Sequence, residues 1–549
     1  MAHALGTAYR VAGDVVRARD WLTRAAALDP EDLLSWKDLS EVAAQTGSWP
    51  EVARACSRRA ALAQSDANAW LLWGHALQVQ HRFRAALSVL LRGWRHNREH
   101  PKLNAAVGAA YSDIGQSGRS VRFLRRAKDA EPGDSTTWCN LLFAITADDS
   151  SDAEEQADEH RRFGALYPAA KRDRVHPRKA GKRIRIGYVS ADFRRHPLER
   201  FYTSILSHHD RSQFEVYAYS STPSADDSTA RYRSWCEHWR EVAGIDDEDF
   251  PAVVARDHPD ILVDLSGHTS GNRLGAFARR AAPVQLSHCG YPNTTGLKQM
   301  DWYITDSVAD PSGLSERHFT ESLLRIDPCF LCYTPSALAT AAEIPHELRH
   351  RPVTFGCFNP LRKLSESTLD LWARVLDATP RSRLLLQARA FDDPGVAVRL
   401  KRRFARQGID PDRIDCQGFT RDEAAYFAAY HEVDIALDPF PYNGATVSCD
   451  ALWMGVPVIA KTGSTHASRV AASILRAAGM PECVASSAEE YVRLASDMAS
   501  DAQWLRGSRV ARRALAMASP LMDATAYVRH FEKALRDVFA NALRRTPGA

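Results

Sequence analysis

Apolar positions in the first quarter of the chain recur with helical spacing, and the pattern repeats at an offset of 34 residues. Leu5, Gly6, Tyr9, Ala18, Leu22, Ala25 and Pro30 set the register. One step on come Leu39, Ser40, Ala43, Val52, Cys56, Arg59 and Gln64, and then Trp73, Gly74, Leu77, Ala86, Leu90, Gly93 and Arg98. The fourth copy is Val107, Gly108, Tyr111, Ser120, Leu124, Ala127 and Pro132. Trp36, Trp70 and Trp138 share one phase of the first helix, with Asn104 in the remaining slot. The small residues let paired helices approach, and the large ones fill the seam between repeats. A further first helix, Thr136 to Ile145, and a charged helical stretch, Asp152 to Tyr167, have no partner in phase and cap the stack.

The order of these positions is that of tetratricopeptide (TPR) repeats, which predicts an α-helical superhelix. Such an array carries no catalytic constellation, and its expected role is to hold an extended protein segment in its concave groove. Lys171 to Lys182 is basic and polar, contains Pro177, and reads as a linker.

Beyond it the pattern changes to short apolar runs alternating with helical segments. Ile184–Ser190, Phe214–Ser220, Ile261–Leu265, Val284–Ser287 and Tyr303–Thr305 read as strands of one parallel sheet. After a polar stretch, Ala337 to Arg351, a second series follows: Val353–Phe358, Arg383–Leu386, Ile414–Gln417, Ile435–Leu437 and Val458–Ala460. Helices after Ala488 complete it, and the last, Thr525 to Leu543, is long enough to reach back to the first unit. The expected division is a repeat array over 1–135, caps and linker over 136–182, and two α/β halves over 183–345 and 346–549. Two doubly wound units in tandem place a cleft between the carboxyl ends of their sheets.

The stretch DPFPYNGATVSCDALWMGVP, Asp438 to Pro457, punctuates the second unit. A strand stops at Pro439 and Pro441, Asn443 and Gly444 turn the chain, and Ala445 to Trp453 begins a helix. Free N–H groups at such a helix start favour an anion, with hydroxyl donors from Thr446 and Ser448. Asp450, about one turn in, is placed to accept from a ribose hydroxyl. An ordinary strand–loop–helix corner fits the local pattern equally well.

His196 follows the first strand of the first unit, and Lys363 follows the first strand of the second. An imidazole there can accept a proton or hold a sugar hydroxyl. An ammonium there can meet a diphosphate and stabilise a leaving group; removing such a contact typically costs ~10²–10³ in rate. The loops DLSGHTSGNR and HCGYPNTTGLKQMDW, with His268, Gly290, Pro292 and Thr295, suit close approach of backbone to a polar ligand, and equally suit plain turns. The acidic triplets Asp247-Glu248-Asp249 and Asp410-Pro411-Asp412 follow no strand in the way a metal–diphosphate site needs, so no metal or other cofactor is expected.

The chain has 549 residues, too many for one core, with 45% apolar and 25% charged residues. A net charge of +4 without a basic block argues against nucleic acid as the main partner. No apolar run is long enough for a bilayer, the start lacks a signal pattern, and a reducing cytoplasm is expected. Among ten scattered cysteines, Cys329 and Cys332 form a C-x-x-C around Phe330 and Leu331 that reads as core rather than zinc or redox chemistry.

GYPNTTG, ITDSVADP, CFLCYTPS and PFPYNGATVSCDALWMGVP together resemble the O-linked N-acetylglucosamine transferase family, and its Spindly-type members most closely. The resemblance covers nearly the whole chain. It implies a metal-independent, inverting glycosyltransferase of the GT-B fold, acting on Ser or Thr hydroxyls of proteins. It implies that His196 lies near acceptor and sugar and that Lys363 meets the diphosphate. It places Asn359, Gly444, Ala445, Thr446, Val447, Ser448 and Asp450 around the nucleotide, and Gly290, Pro292 and Thr295 on the sugar side. Ala445 stands where the animal enzyme has a histidine beside the nucleotide, Pro360 replaces a glutamine near the base, and the large insert between the halves is absent. The donor expected from the family is UDP-N-acetylglucosamine; Spindly-type plant members imply GDP-fucose instead. A non-catalytic scaffold with a decayed transferase is the third reading.

Overall fold

A computed structural model of the chain describes residues 1–168, 182–339, 348, 351–420 and 422–544. The expected linker before Arg183 and most of the polar divide after Ala337 lie outside the described residues.

The array comprises α1 (Ala2–Val11), α2 (Val15–Leu28), α3 (Leu33–Gln45), α4 (Trp49–Leu62), α5 (Ala67–Val79), α6 (Phe83–His96), α7 (Pro101–Asp113), α8 (Ser117–Ala130), α9 (Ser135–Thr146) and α10 (Ala153–Gly164). The repeat register has a direct geometric cause. Trp36, Trp70 and Trp138 donate their indole N–H to the carbonyls of Pro30, Gln64 and Pro132 at 3.0, 3.0 and 2.8 Å. Asn104 donates from Nδ2 to Arg98 O at 2.7 Å, so the odd residue in that slot makes the same bond. A Cβ at Gly6, Gly74 or Gly108 would fall 2.5–2.6 Å from Leu22, Leu90 or Leu124. In the remaining copy Ser40 fills the glycine slot, and the facing residue shrinks to Cys56.

Each of the first four helix pairs turns through a residue with positive φ: Gly13, Gly47, His81 and Gly115. His81 is the exception at φ 58, where L residues are uncommon. It anchors the array to the second α/β half, with Nδ1 2.7 Å from Asp392 Oδ2 and Nε2 accepting from Arg389.

The first half is a seven-stranded, all-parallel sheet of β1 (Ile184–Ser190), β2 (Phe214–Ser220), β3 (His238–Glu241), β4 (Ile261–Asp264), β5 (Val284–Ser287), β6 (Trp302–Thr305) and β7 (Ser322–Arg325), in the order β3-β2-β1-β4-β5-β6-β7. The second contains β8 (Thr354–Cys357), β9 (Arg383–Gln387), β10 (Ile414–Gln417), β11 (Ile435–Leu437), β12 (Val458–Lys461) and β13 (Val484–Ala485), in the order β10-β9-β8-β11-β12-β13. Both orders reverse beside their first strand, between β1 and β4 and between β8 and β11. Such switch points open the crevices where ligands bind in doubly wound sheets.

The array packs against both halves. Phe83, Leu87 and Leu103 share one buried cluster with Phe391, Val396 and Leu400 of the second half. Trp138, Leu142 and Phe163 share another with Tyr219, Leu262 and Phe277 of the first. The terminal helix, Ala524–Arg544, returns to the first sheet, burying Phe531, Leu535 and Val538 beside Tyr188 and Leu286.

Candidate active site

β8 ends at Cys357, and Lys363 lies six residues on, at the end of the short 3-10 helix Leu361–Lys363. Its Nζ donates to Asn443 O at 2.9 Å and sits 4.0 Å from the centre of the Tyr442 ring. Burial pulls the Lys363 ammonium down to about 8, against the opposing field of Asp438. Asp438 is itself buried and pushed above the ordinary carboxyl range, against hydrogen bonds from Ser448 and the charge of Lys363.

Asp438 explains the turn that follows. Its Oδ1 accepts from Gly444 N at 3.0 Å and from Ser448 Oγ at 2.7 Å. A Cβ at Gly444 would lie 2.5 Å from Ser448 Oγ, 2.7 Å from Asp438 Oδ1 and 3.1 Å from Asn359 Nδ2, so glycine is required for these groups to converge. Asn359, Asp438, Val447 and Ser448 line a small crevice at the carboxyl ends of β8 and β11. The helix Thr446–Trp453 begins at Ala445, which has no side-chain cap. The described hydrogen bonds give no partner to the amides of Thr446, Val447 and Ser448, so three donors stand free at its positive end.

The opposite wall is the His196 loop. Thr446 Oγ1 donates across the cleft to Pro197 O at 3.4 Å. His196 is one-third exposed at its side chain, with Nε2 3.8 Å from Asp192 Oδ1. Burial, outweighing Asp192 and reinforced by Arg194 and by Arg362 of the second half, lowers its pKa below the usual histidine value. The imidazole is therefore neutral at pH 7 and able to accept a proton.

The remaining expected residues lie where their roles differ. Asp450 is 3% exposed, and its carboxylate accepts from Tyr333 at 2.6 Å and Tyr426 at 3.0 Å, beside Arg200. Burial pushes it up to about 6, and its bond from Tyr333 ties the two halves together at this point. Thr295 is fully buried, and its amide and hydroxyl both donate to Glu321, so it stiffens the GYPNTTG loop and does not face the cleft. A Cβ at Gly290 would lie 2.0 Å from Leu265 O, which makes this glycine a packing requirement. Pro292, like Gly290, is partly exposed in that loop. Cys329 and Cys332 are buried core, as their apolar neighbours imply.

Three contributors carry no local sequence signal. Tyr442 lies under Lys363, and Arg362 stacks over Phe143 at 5.0 Å. Phe143 comes from α9 and meets both Tyr291 and Tyr442, with ring centres 6.2 and 5.6 Å apart. The end of the repeat array therefore forms part of the cleft wall. Behind it, His160 Nε2 lies 2.9 Å from Tyr291 Oη, Asn293 donates to Gln156 at 3.0 Å, and His268 Nε2 lies 3.0 Å from Thr295 O.

Two pH effects follow. Lys363 loses its proton as pH rises through about 8, so inorganic diphosphate or a nucleoside diphosphate binds progressively more weakly above that pH; calorimetry at pH 7 and 9 reads the change, which is absent in Lys363→Met. Burial holds His160 neutral, down to about 4 from 6.5. A lowered histidine pKa means that the unfolded chain takes up the proton first. Stability is therefore complete above 6.5 and falls as pH drops toward 4. His160 alone contributes a loss of about 2 kcal/mol by pH 5, measured as the difference in denaturant midpoint stability from His160→Gln.

Two Rossmann-like sheets facing across a cleft, with an anion-seeking helix start at one switch point, define a GT-B glycosyltransferase architecture fused to TPR repeats. The model of glycosyl transferase family 41 matches residues 168–333 and 332–531, and the chain belongs to that family, as a Spindly-type member. It is 36% identical over 440 residues to a protein of Oryza sativa named probable UDP-N-acetylglucosamine–peptide N-acetylglucosaminyltransferase SPINDLY, covering 77% of this chain and 47% of that one. The Solanum lycopersicum protein of the same name is 38% identical over 393 residues, covering 70% and 42%. The chain thus spans about half the length of the curated relatives it matches. The solved structure of a mutant of Thermobaculum terrenum O-GlcNAc transferase superposes with a TM-score of 0.83 at 31% identity, covering 93% of this chain and 98% of that one.

Proposed function

We propose that this chain transfers N-acetylglucosamine from UDP-N-acetylglucosamine to Ser or Thr hydroxyls of proteins, with inversion and without a metal. The observation that carries the reading is the convergence of Lys363 and the free amides of Thr446, Val447 and Ser448 opposite the His196 loop. In the proposed step the acceptor oxygen bonds to the anomeric carbon from the face opposite the diphosphate. The bond from that carbon to the diphosphate oxygen breaks as the new one forms. The ammonium of Lys363 and the helix start take up the charge that develops on the departing nucleoside diphosphate. His196, held neutral, positions the sugar or accepts the hydroxyl proton. The array holds the acceptor chain, with its terminal helices joined to the cleft wall through Phe143. This agrees with the names of the relatives in rice and tomato.

GYPNTTG and CFLCYTPS, which resemble the Spindly-type plant members, favour a second reading with GDP-fucose as donor. Calorimetry with both donors in the presence of a chelator separates the two. Binding of UDP-N-acetylglucosamine that weakens in Lys363→Met supports the first reading. Binding of GDP-fucose alone replaces it with the second, and binding of neither overturns both.

A further inference from the structure

A cavity of about 760 Å³ opens between the array and the second half and shares no lining residue with the crevice at the carboxyl ends of β8 and β11. Its walls carry Arg84 from α6, Arg119 from the start of α8, Arg399, Arg403 and Arg406 from the helix Pro394–Ala405 and its end, and one carboxylate, Glu366. Arg403 pairs with Glu366 and Asp370, yet its Nε is buried without a hydrogen-bond partner. Among the described residues no carboxylate lies within ion-pair distance of the other four. Arg399 donates to Ile114 O at 3.0 Å, and burial together with Arg119, Arg403 and Arg84 lowers its pKa against the pull of Glu366. The start of α8 reaches the same space: Gln116, Ser117 and Gly118 line it, and Gln116 provides no side-chain cap. Leu87 and Tyr111 form an apolar floor.

We propose that this cavity is a binding site for a small phosphorylated molecule, whose phosphates meet the guanidiniums of Arg84, Arg119, Arg399 and Arg406 and whose organic part rests on Leu87 and Tyr111. Planar guanidiniums with several free N–H groups match phosphate oxygens in pairs. The volume is that of a small-molecule pocket, not of a groove that follows a peptide. Two of the arginines come from the array and two from the second half, so an occupant ties the two together.

The probe is inorganic tripolyphosphate, titrated by calorimetry into the full chain carrying Lys363→Met, which weakens the anion site of the cleft, and the arginine variants below assign the binding that remains. The expected result is one equivalent bound, at least tenfold more weakly after Arg119→Ala with Arg399→Ala, and likewise after Arg84→Ala with Arg406→Ala. The second pair changes exposed side chains, and the described bond it removes, Arg84 Nη1 to Gly395 O, is long at 3.4 Å, so the protein stays folded, as a melting curve checks. A hexaglutamate peptide binds at least tenfold more weakly than tripolyphosphate. The proposal is overturned by no binding in the Lys363→Met chain, by unchanged affinity in the Arg84/Arg406 pair, or by hexaglutamate binding as tightly, which would assign the cavity to an acidic protein segment.

Discussion

Lys363→Met yields a folded protein whose transfer rate is lower by about 10²–10³-fold, with the loss in kcat rather than KM. The ammonium donates to Asn443 O of the anion turn and lies over Tyr442. Methionine keeps the contact with the Tyr442 ring and removes only the charge and its N–H donors. The neighbouring Asp438 is already displaced toward its neutral form by burial, so it protonates when Lys363 is lost and the turn survives on the bonds to Gly444 and Ser448. Steady-state kinetics with a melting curve of the same sample checks both halves of this expectation. An unchanged kcat removes Lys363 from the chemistry.

The second large effect is expected from Gly164→Ala. A Cβ there would lie 1.8 Å from Gly296 O, a backbone atom that cannot step aside, and Gly296 at φ 77 is equally constrained by His160 O at 2.0 Å. The two glycines let α10 lie directly against the GYPNTTG loop. Overpacking in a rigid seam commonly costs about 1–3 kcal/mol, and a backbone clash belongs at the upper end. The loss of the bonds from Gln156 and His160 to Asn293 and Tyr291 adds to it. Calorimetric melting then shows the array separating from the catalytic halves before the main transition. A single transition at the parent temperature would mean that the seam contributes little. Gly118→Ala, whose nearest neighbour is 3.5 Å away, serves as the control.

The parts of this fold that were legible in the sequence are those where one physical constraint acts alone. Central strands such as β4 and β11 are buried on both faces and therefore read as short apolar runs. The edge strands β3 and β7 are partly exposed, with polar residues such as His238 and Arg325, and they leave no such run. β13 is only two residues long. The repeat register was legible because most copies reuse the same side-chain-to-carbonyl bond and the same glycine–leucine approach. The recurring left-handed turn at Gly13, Gly47 and Gly115 was also in the sequence, and His81 hid it by exchanging glycine for an anchor to Asp392.

The candidate site divides in the same way. Lys363, Gly444 and the Thr446–Ser448 helix start follow from local chain chemistry and lie together. Thr295 has the side chain expected of a ligand contact, but tertiary packing turns it inward onto Glu321, and Asp450 takes bonds from Tyr333 and Tyr426 that no local pattern announces. Phe143 reaches Tyr442 only because the array docks on both halves, a long-range fact that no local pattern encodes.

The most direct test of the central claim is intact-protein mass spectrometry of an acceptor protein after incubation with this chain, a chelator and each donor in turn. The account predicts a mass increase of one or more N-acetylhexosamine units on Ser or Thr from UDP-N-acetylglucosamine, reduced about a hundredfold in initial rate by Lys363→Met. No mass increase from either donor, on acceptors bound by the array, would contradict it and leave the chain a binding scaffold.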